Sequence, residues 1–362
     1  MAVRQQIGAG ERLITHTWPA VREQQPRESG ERIANEYAEL KGLVKGAGLL
    51  EAQPAFYARK MIITLGMLAV SVAVLVTRHP LWLHLTNAAF LAFIFTQLGF
   101  LFHDIGHRAF ARPARRNAFY GLVFGNVLTG VSRAWWSDGH NAHHSHPNQM
   151  DEDPNVDIPI LAFTEEQARS RRGLARFIVS YQHLFLFPIF CLEGFNAIIQ
   201  SFLFLHRADA PLARREVPLL VLHYVLYTGL VVLALGGWQA ALFILVHRGL
   251  VGLYASSVFA PNHKGMPTLE KDVVVGFLHQ QVLTARNVRA HPVTDYWYGG
   301  LNYQIEHHLF PTMPRNKLRQ AQGIVRAFCQ NHGVSYHETG VLESYGEILR
   351  HLRQVGMAAR PS

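Results

Sequence analysis

Leu81–His107 reads LWLHLTNAAFLAFIFTQLGFLFHDIGH. Residues Leu81–Phe102 hold no Asp, Glu, Lys or Arg, and His84 is the only group among them that could charge. A helix rises about 1.5 Å per residue, so about 20 apolar residues cross the hydrocarbon core of a bilayer. The run is therefore expected to span a membrane. It ends on two histidines, His103 and His107, four residues apart. On a helix that spacing puts both imidazoles on one face. Metal-ligand chemistry is thus expected where an apolar helix leaves the membrane.

Three more runs have the length and character of spans: Met61–Thr77, Val217–Leu235 and Trp238–Ala260, the last interrupted by His247 and Arg248. The links Arg78–Pro80 and Gly236–Gly237 are short, so the four runs pair as two hairpins, each beginning and ending on one side. Basic residues crowd the long segments: Arg4, Arg12, Arg22, Lys41, Lys45, Arg59 and Lys60 before the first run, and Arg108, Arg115, Arg116, Arg169 and Arg176 between the hairpins. The positive-inside rule puts these segments and the C-terminus in the cytoplasm. A fifth apolar stretch, Phe177–Leu205, contains Pro188 and Glu193. A single crossing there would carry the last third of the chain to the other side, so it is read as interfacial or re-entrant. The fold expected is all-α and integral to the membrane: four transmembrane helices as two hairpins, with a cytoplasmic helical cap holding the histidines. Residues 1–60 form a cytoplasmic N-terminal segment, 61–335 the membrane core and 336–362 a cytoplasmic tail. Arg248, inside a span, is expected to meet a head group or a carboxylate, or to snorkel to the interface.

Composition narrows the function. Of 362 residues 49% are hydrophobic and only 16% charged, with a net charge of +9, which suits a basic face near anionic lipid. No basic stripe is interleaved with aromatics, so nucleic acid is not an expected partner. The two cysteines, Cys191 and Cys329, form no CxxC pair, which excludes an iron–sulfur centre built by these residues alone. The first sixty residues lack the apolar core of a secretory signal. Histidine is the anomaly, with 21 residues.

Besides His103-Asp104-Ile105-Gly106-His107, two clusters stand out: His140-Asn141-Ala142-His143-His144 and Gln304-Ile305-Glu306-His307-His308. His140, His143 and His144 stand at i, i+3 and i+4, and the third cluster repeats the pattern with Gln304 in first place. One such pair is as often a surface or core feature as a ligand set. Three clusters at ligand spacing are not, and seven imidazoles exceed what one tetrahedral zinc needs. Two metal ions sharing them is the economical reading. Imidazole suits zinc, copper, iron or nickel. A substrate living in the bilayer offers unactivated C–H bonds, whose cleavage needs a cofactor that activates dioxygen, and iron is the natural choice.

The boxes HDxGH, HNxHH and QxxHH, the last within Gly299–Pro311 (GGLNYQIEHHLFP), resemble those of the membrane fatty acid desaturases over residues 80–335. VFAPNHKG at Val258–Gly265 and QVLTARN at Gln281–Asn287 look similar to bacterial acyl-CoA desaturases of actinobacterial type. The resemblance implies O2-dependent insertion of a double bond into a long acyl chain, carried by CoA or lipid, at two irons held by eight or nine histidines. Those here would be His103, His107, His140, His143, His144, His307 and His308, with His263 as the eighth. Gln304 stands where many acyl-CoA enzymes carry histidine. That form resembles front-end and sphingolipid desaturases, and it leaves open whether Gln304 ligates metal or orients water. His146, His279 and His291 are weaker candidates. Asp104, Asp138, Asp151, Asp153 and Glu306 lie near the boxes and could orient ligands. Trp135, Trp136 and Trp297 could line an acyl tunnel or form an interfacial belt. No HPGG haem motif is present, so a separate electron donor is expected, a ferredoxin or a cytochrome with its reductase. The expected setting is a bacterial cytoplasmic membrane with the site facing the cytoplasm. A hydroxylase or alkane monooxygenase with similar boxes is the enzymatic alternative. A metal transporter is disfavoured, because the clusters follow the spans instead of lining them.

Overall fold

The structure is a computed structural model, and it describes residues 28–110, 113–207 and 211–360. α1 (Glu28–Gly46) precedes a hairpin of α2 (Pro54–Val76) and α3 (Leu81–Gly106). Pro80, with φ −64° and ψ 151°, holds the chain extended immediately before α3. Within the hairpin, Ser71 Oγ donates to Asn87 Oδ1 at 2.8 Å, and Asn87 Nδ2 donates to the Ser71 carbonyl at 2.9 Å. Neither polar group therefore faces lipid unpaired. α4 (Ala114–Gly121) widens into a π-helical segment, Leu122–Thr129, which leads to α5 (Arg133–Ser145). A single 3-10 turn at Pro154–Val156, α6 (Glu165–Ser170) and α7 (Gly173–Ser180) lead to α8 (Gln182–Arg207). After α9 (Pro211–Arg214), α10 (Val217–Leu235) and α11 (Gly237–His263) make the second hairpin. The remainder is α12 (Phe277–Leu283), β1 (Asn287–Val288), α13 (Pro292–Trp297), α14 (Gln304–Leu309), α15 (Arg315–Asn331), β2 (Glu338–Thr339) and α16 (Val341–Met357).

Among the described residues, five helices are long and apolar enough to cross a membrane: α2, α3, α8, α10 and α11. By that measure the chain is a multi-pass membrane protein. The count exceeds the four expected, because Gln182–Arg207 is one unbroken helix despite Pro188. α2 and α10 expose apolar side chains such as Ile62 and Val225 to their surroundings, whereas α3 is largely buried between α2 and α11. α8 crosses α11 where two glycines meet. A Cβ on Gly194 would lie 2.1 Å from the Arg248 carbonyl oxygen, and one on Gly252 2.5 Å from the Gly194 nitrogen. Only bare backbones pack so closely.

Both ends of α8 are tied to the elements around the histidines. At its start, Gln182 donates to the carbonyls of Ala162 and Leu352, while Leu186 and Phe190 cluster with Ala260, Ile348 and Leu352. Near its other end, Ser201 Oγ accepts from the Ser132 amide just before α5, and Leu205 packs on Leu220 in the first turn of α10.

Arg248 is buried, and its partners differ from the head group or carboxylate expected. Its guanidinium donates to His223 Nε2 at 3.1 Å and to the Thr129 carbonyl at 3.4 Å. It also lies over the rings of Phe95, Tyr224 and Tyr227, within 4.9–5.6 Å of their centroids. Aromatic faces at that range offset part of the desolvation cost, each by about 0.5–2 kcal/mol.

The cap has its own apolar core, in which Leu40 and Val44 of α1 meet Leu278 and Val282 of α12, Leu309 of α14, and Leu318 and Val325 of α15. β1 and β2 pair in parallel, Asn287 with Glu338 and Val288 with Thr339. The residues from 336 onward, expected as a tail, thus contribute a strand, and α16 buries Ile348 and Leu352 against α8. The buried Arg286 locks this layer. It pairs with Glu347 and donates to the carbonyls of Pro261 (2.7 Å) and Lys264 (2.9 Å), on either side of His263.

Candidate metal centre

Four elements deliver histidines to one place. α3 brings His103 in its last turn and His107 at its C-cap, with ring centroids 4.7 Å apart. α11 ends on His263. α5 carries His140, His143 and His144, and the short buried helix α14 carries Gln304, His307 and His308.

The start of α5 is pinned from the second hairpin. Ser132 caps the helix by accepting from the Trp135 amide at 3.1 Å, and its hydroxyl donates to Glu216 at 2.7 Å. Glu216 also accepts from Asn126 Nδ2 (2.9 Å) and the Ala134 amide (3.1 Å). Tyr224 donates to the Gly130 carbonyl at 2.6 Å and His223 to that of Val127 at 2.8 Å. Gly130 adopts φ 72°, and a Cβ there would sit 2.4 Å from the His223 ring. α14 is pinned from below: Asn287 accepts from the Ile305 amide (2.9 Å) and donates to Glu306 (2.7 Å), which also accepts from Tyr336 (2.7 Å). Burial pushes the Glu306 carboxyl up to about 7, with the Tyr336 and Asn287 hydrogen bonds opposing.

The imidazoles sort into two groups, each with its ligand atoms within 4.8 Å of one another: His103, His107, His140, His144 and His307 in one, His143, His263 and His308 in the other. Each adjacent pair is split between groups, because neighbouring residues on a helix point about 100° apart. His143 and His144 diverge in this way, as do His307 and His308. The groups adjoin, with the His144 and His308 rings stacked at 4.2 Å.

In the three-histidine group the ring orientations are set by acceptors. Nδ1 of His143 donates to Asp153 Oδ2 at 2.8 Å, Nδ1 of His263 to the Thr284 carbonyl at 3.0 Å, and Nδ1 of His308 to Gln281 Oε1 at 2.8 Å. Gln281 is oriented in turn, because its Nε2 donates to the His144 carbonyl at 3.1 Å. With the protons on Nδ1, the Nε2 lone pairs face one another, 3.3 Å apart for His143 and His263 and 3.1 Å for His263 and His308. Lone pairs that converge so closely repel unless a cation lies among them, so the donor set fits a metal. In the five-histidine group, Nε2 atoms again approach, at 2.7 Å for His107 and His140 and 3.2 Å for His144 and His307. Burial, reinforced by the neighbouring imidazoles, holds His107, His140, His144, His307 and His308 well below the usual histidine range. They are neutral at pH 7, the form that binds metal. Asp153 lies below the usual carboxylate range: burial acts against this, but the His143 side chain, with Lys264 and the Asn155 amide, outweighs it.

The other candidates separate clearly. Asp104 is 3.5 Å from His103 Nδ1 and pairs chiefly with Arg315, whereas Asp138 and Asp151 are exposed and face a groove behind α5. His146 is exposed at the end of α5, His279 joins neither group, and His291 caps α13 by accepting from the Val293 amide. Trp136 stacks on His140 at 4.2 Å, and a Cβ on Gly106 would strike its ring at 2.1 Å. Trp135 faces the groove behind α5, and the Trp297 ring lies tilted against that of Tyr254, nine residues before His263, with centroids 3.9 Å apart. Gln281 and the Thr284 carbonyl went unassigned in the sequence. The only hint was the motif QVLTARN that contains both.

The fatty acid desaturase family profile matches residues 80–340. Over 349 residues the chain is 30% identical to the Delta(8)-fatty-acid desaturase of Borago officinalis, covering 91% of this chain and 76% of that protein. It is 28% identical over 336 residues to the acyl-lipid (9-3)-desaturase of Physcomitrium patens, covering 90% of this chain and 64% of the moss protein's length. It is 29% identical to the Delta(6)-fatty-acid desaturase of Caenorhabditis elegans, covering 90% and 75%. With a match that spans most of the chain and takes in all three histidine boxes, this protein belongs to the fatty acid desaturase family.

Proposed function

We propose that the chain is an O2-dependent fatty acyl desaturase whose two histidine groups each hold one iron ion. The observation that carries this is the convergence of eight buried or half-buried imidazoles, from α3, α5, α11 and α14, at the ends of apolar helices. His103, His107, His140, His144 and His307 would hold one metal, and His143, His263 and His308 the other. Iron bound there supplies the activation of dioxygen that lets two vicinal hydrogens leave an unactivated chain, with O2 reduced to water.

The chain's own residues do the rest. Asp153, Gln281 and the Thr284 carbonyl hold the Nδ1 protons, so that each Nε2 keeps a lone pair for metal. Trp136, stacked on His140, walls one side of the five-histidine group. His107, His140 and His144 are only half-buried, and that side is where an acyl chain would approach. Holding the chain in one register decides which carbons react. The names of the relatives put double bonds at Δ6 and Δ8, so a bond near the carboxyl end is the first to look for.

The proposed topology has four crossings, with α8 oblique at the interface, because both of its ends meet the histidine layer. The site then faces the cytoplasm, the side of the basic segments, where an acidic electron donor such as a ferredoxin or a cytochrome would dock. The relatives named come from a moss, a flowering plant and a nematode, and they add no support for a bacterial membrane.

The test is expression, with and without His144→Ala, in a host that makes no unsaturated acyl groups, followed by gas chromatography of the total lipids. A new alkene that disappears in the variant is expected. An alcohol in its place would make the chain a hydroxylase. No product from an iron-loaded, reductant-supplied protein would refute the assignment.

A further inference from the structure

We infer that Gln304 is not a ligand of the three-histidine metal but a hydrogen-bond donor into it. The inference deepens the metal reading and rests on it. Gln304, His307 and His308 stand at i, i+3 and i+4 on α14, a spacing that invites a third ligand. A side-chain amide, however, can bind a metal only through its oxygen, so the direction of the amide decides the matter.

That direction follows from Leu301. A backbone carbonyl can only accept, and Asn262 Nδ2 lies 3.0 Å from the Leu301 oxygen. Turning Asn262 round would set two oxygens against each other and leave that carbonyl without its donor. The same NH2 group of Asn262 lies 2.9 Å from Gln304 Oε1. Turning Gln304 round would then oppose two NH2 groups. The cost of this arrangement is a buried Oδ1 on Asn262 without a partner, which is smaller than either repulsion.

Gln304 therefore spends its oxygen on Asn262 and points Nε2 at His263 Nε2, 2.9 Å away. That nitrogen carries a lone pair, since the Nδ1–H of His263 donates to Thr284. Asn262 and Gln304 are both buried, so water does not compete for the amide. Once a metal takes the lone pair of His263, the Gln304 N–H is left buried beside the metal without an acceptor. A small anion or an oxygen ligand entering there accepts from it. Asn262 is the positioning residue and Gln304 the one that touches the incoming group.

The test uses the full-length, iron-loaded, oxidised protein in detergent, with azide as the probe. Iron per chain is measured by mass spectrometry and azide affinity by absorbance titration. One hydrogen bond to a charged acceptor is worth about tenfold in affinity or more. Gln304→Ala is expected to keep two irons per chain while azide binds about tenfold more weakly. Gln304→Glu, which keeps the shape, is expected to keep both irons and lose azide binding, because its second carboxylate oxygen fills the place. Loss of one iron in Gln304→Ala, or unchanged azide affinity in either variant, overturns the inference. If the unsubstituted protein holds no iron, the metal reading fails and the inference with it, whereas a loss confined to the variants removes the inference alone.

Discussion

Replacing Asp153 by asparagine tests how the three-histidine group is built. Asp153 is buried, with Oδ2 accepting from His143 Nδ1 at 2.8 Å and from the Asn148 amide at 2.9 Å, and Oδ1 accepting from the Asn155 amide at 2.9 Å. Asparagine has the same shape but only one acceptor oxygen. With its oxygen toward His143, its NH2 opposes the Asn155 amide, and in the other orientation it opposes His143 itself. Trading a charged for a neutral acceptor costs about 1 kcal/mol, and a donor left unpaired costs about 1–3 kcal/mol. Part of the second cost is already present before metal binds, so about 2–2.7 kcal/mol of that sum reaches the metal affinity, about thirty- to hundredfold, within the range typical for groups that orient ligands. The assay is competition of the iron-loaded protein against a chelator. One iron per chain should leave about thirty- to hundredfold more readily in Asp153→Asn, while the other is held as before. Equal retention of both irons, or equal weakening of both, would refute the argument that Asp153 serves the three-histidine group alone.

Gly130→Ala should lower the thermal unfolding midpoint in detergent by about 5 °C or more: the left-handed φ costs about 1–2 kcal/mol and the clash with His223 about 1–3 kcal/mol; an unchanged midpoint would mean that the Gly130 turn does not hold α5. Metal binding at pH 7 should release close to no protons, because the buried imidazoles are already neutral; calorimetry in two buffers of different ionisation enthalpy should give the same heat. The metal-free protein should lose stability in acid. Histidines of the unfolded chain take up protons below about pH 6.5 and the folded ones resist, so stability should fall as pH drops below that value, and a flat profile between pH 7 and 5 would contradict the burial. Single cysteines at Arg172, just before α7, at His206, in the last turn of α8, and at Arg116 and Asn316 should all be labelled from the cytoplasmic face; labelling of Arg172 and His206 from opposite faces would make α8 a fifth crossing.

Local spacing was enough to read part of this protein from sequence. Apolar runs of span length announced α2, α3, α10 and α11, because burial in lipid demands an unbroken stretch of side chains and no distant partner. The i, i+3 and i+4 spacing of the boxes announced convergent imidazoles, because one helix turn sets those angles by itself. The tertiary structure decided what depends on two elements meeting. His143 and His308 join His263, 120 and 45 residues away, and not their own neighbours in the chain. Their proton-holding partners, Asp153, Gln281 and Thr284, come from separate loops and helices that no spacing links. Arg248 found an imidazole and three aromatic rings where a head group, a carboxylate or the interface was expected, and the segment expected as a tail became a strand and a buried helix. Spacing within one helix fixes an angle about its axis. Which helix that angle faces is set only when the chain packs, so the direction of the Gln304 amide, resting on Asn262 and the Leu301 carbonyl, belongs to the fold alone.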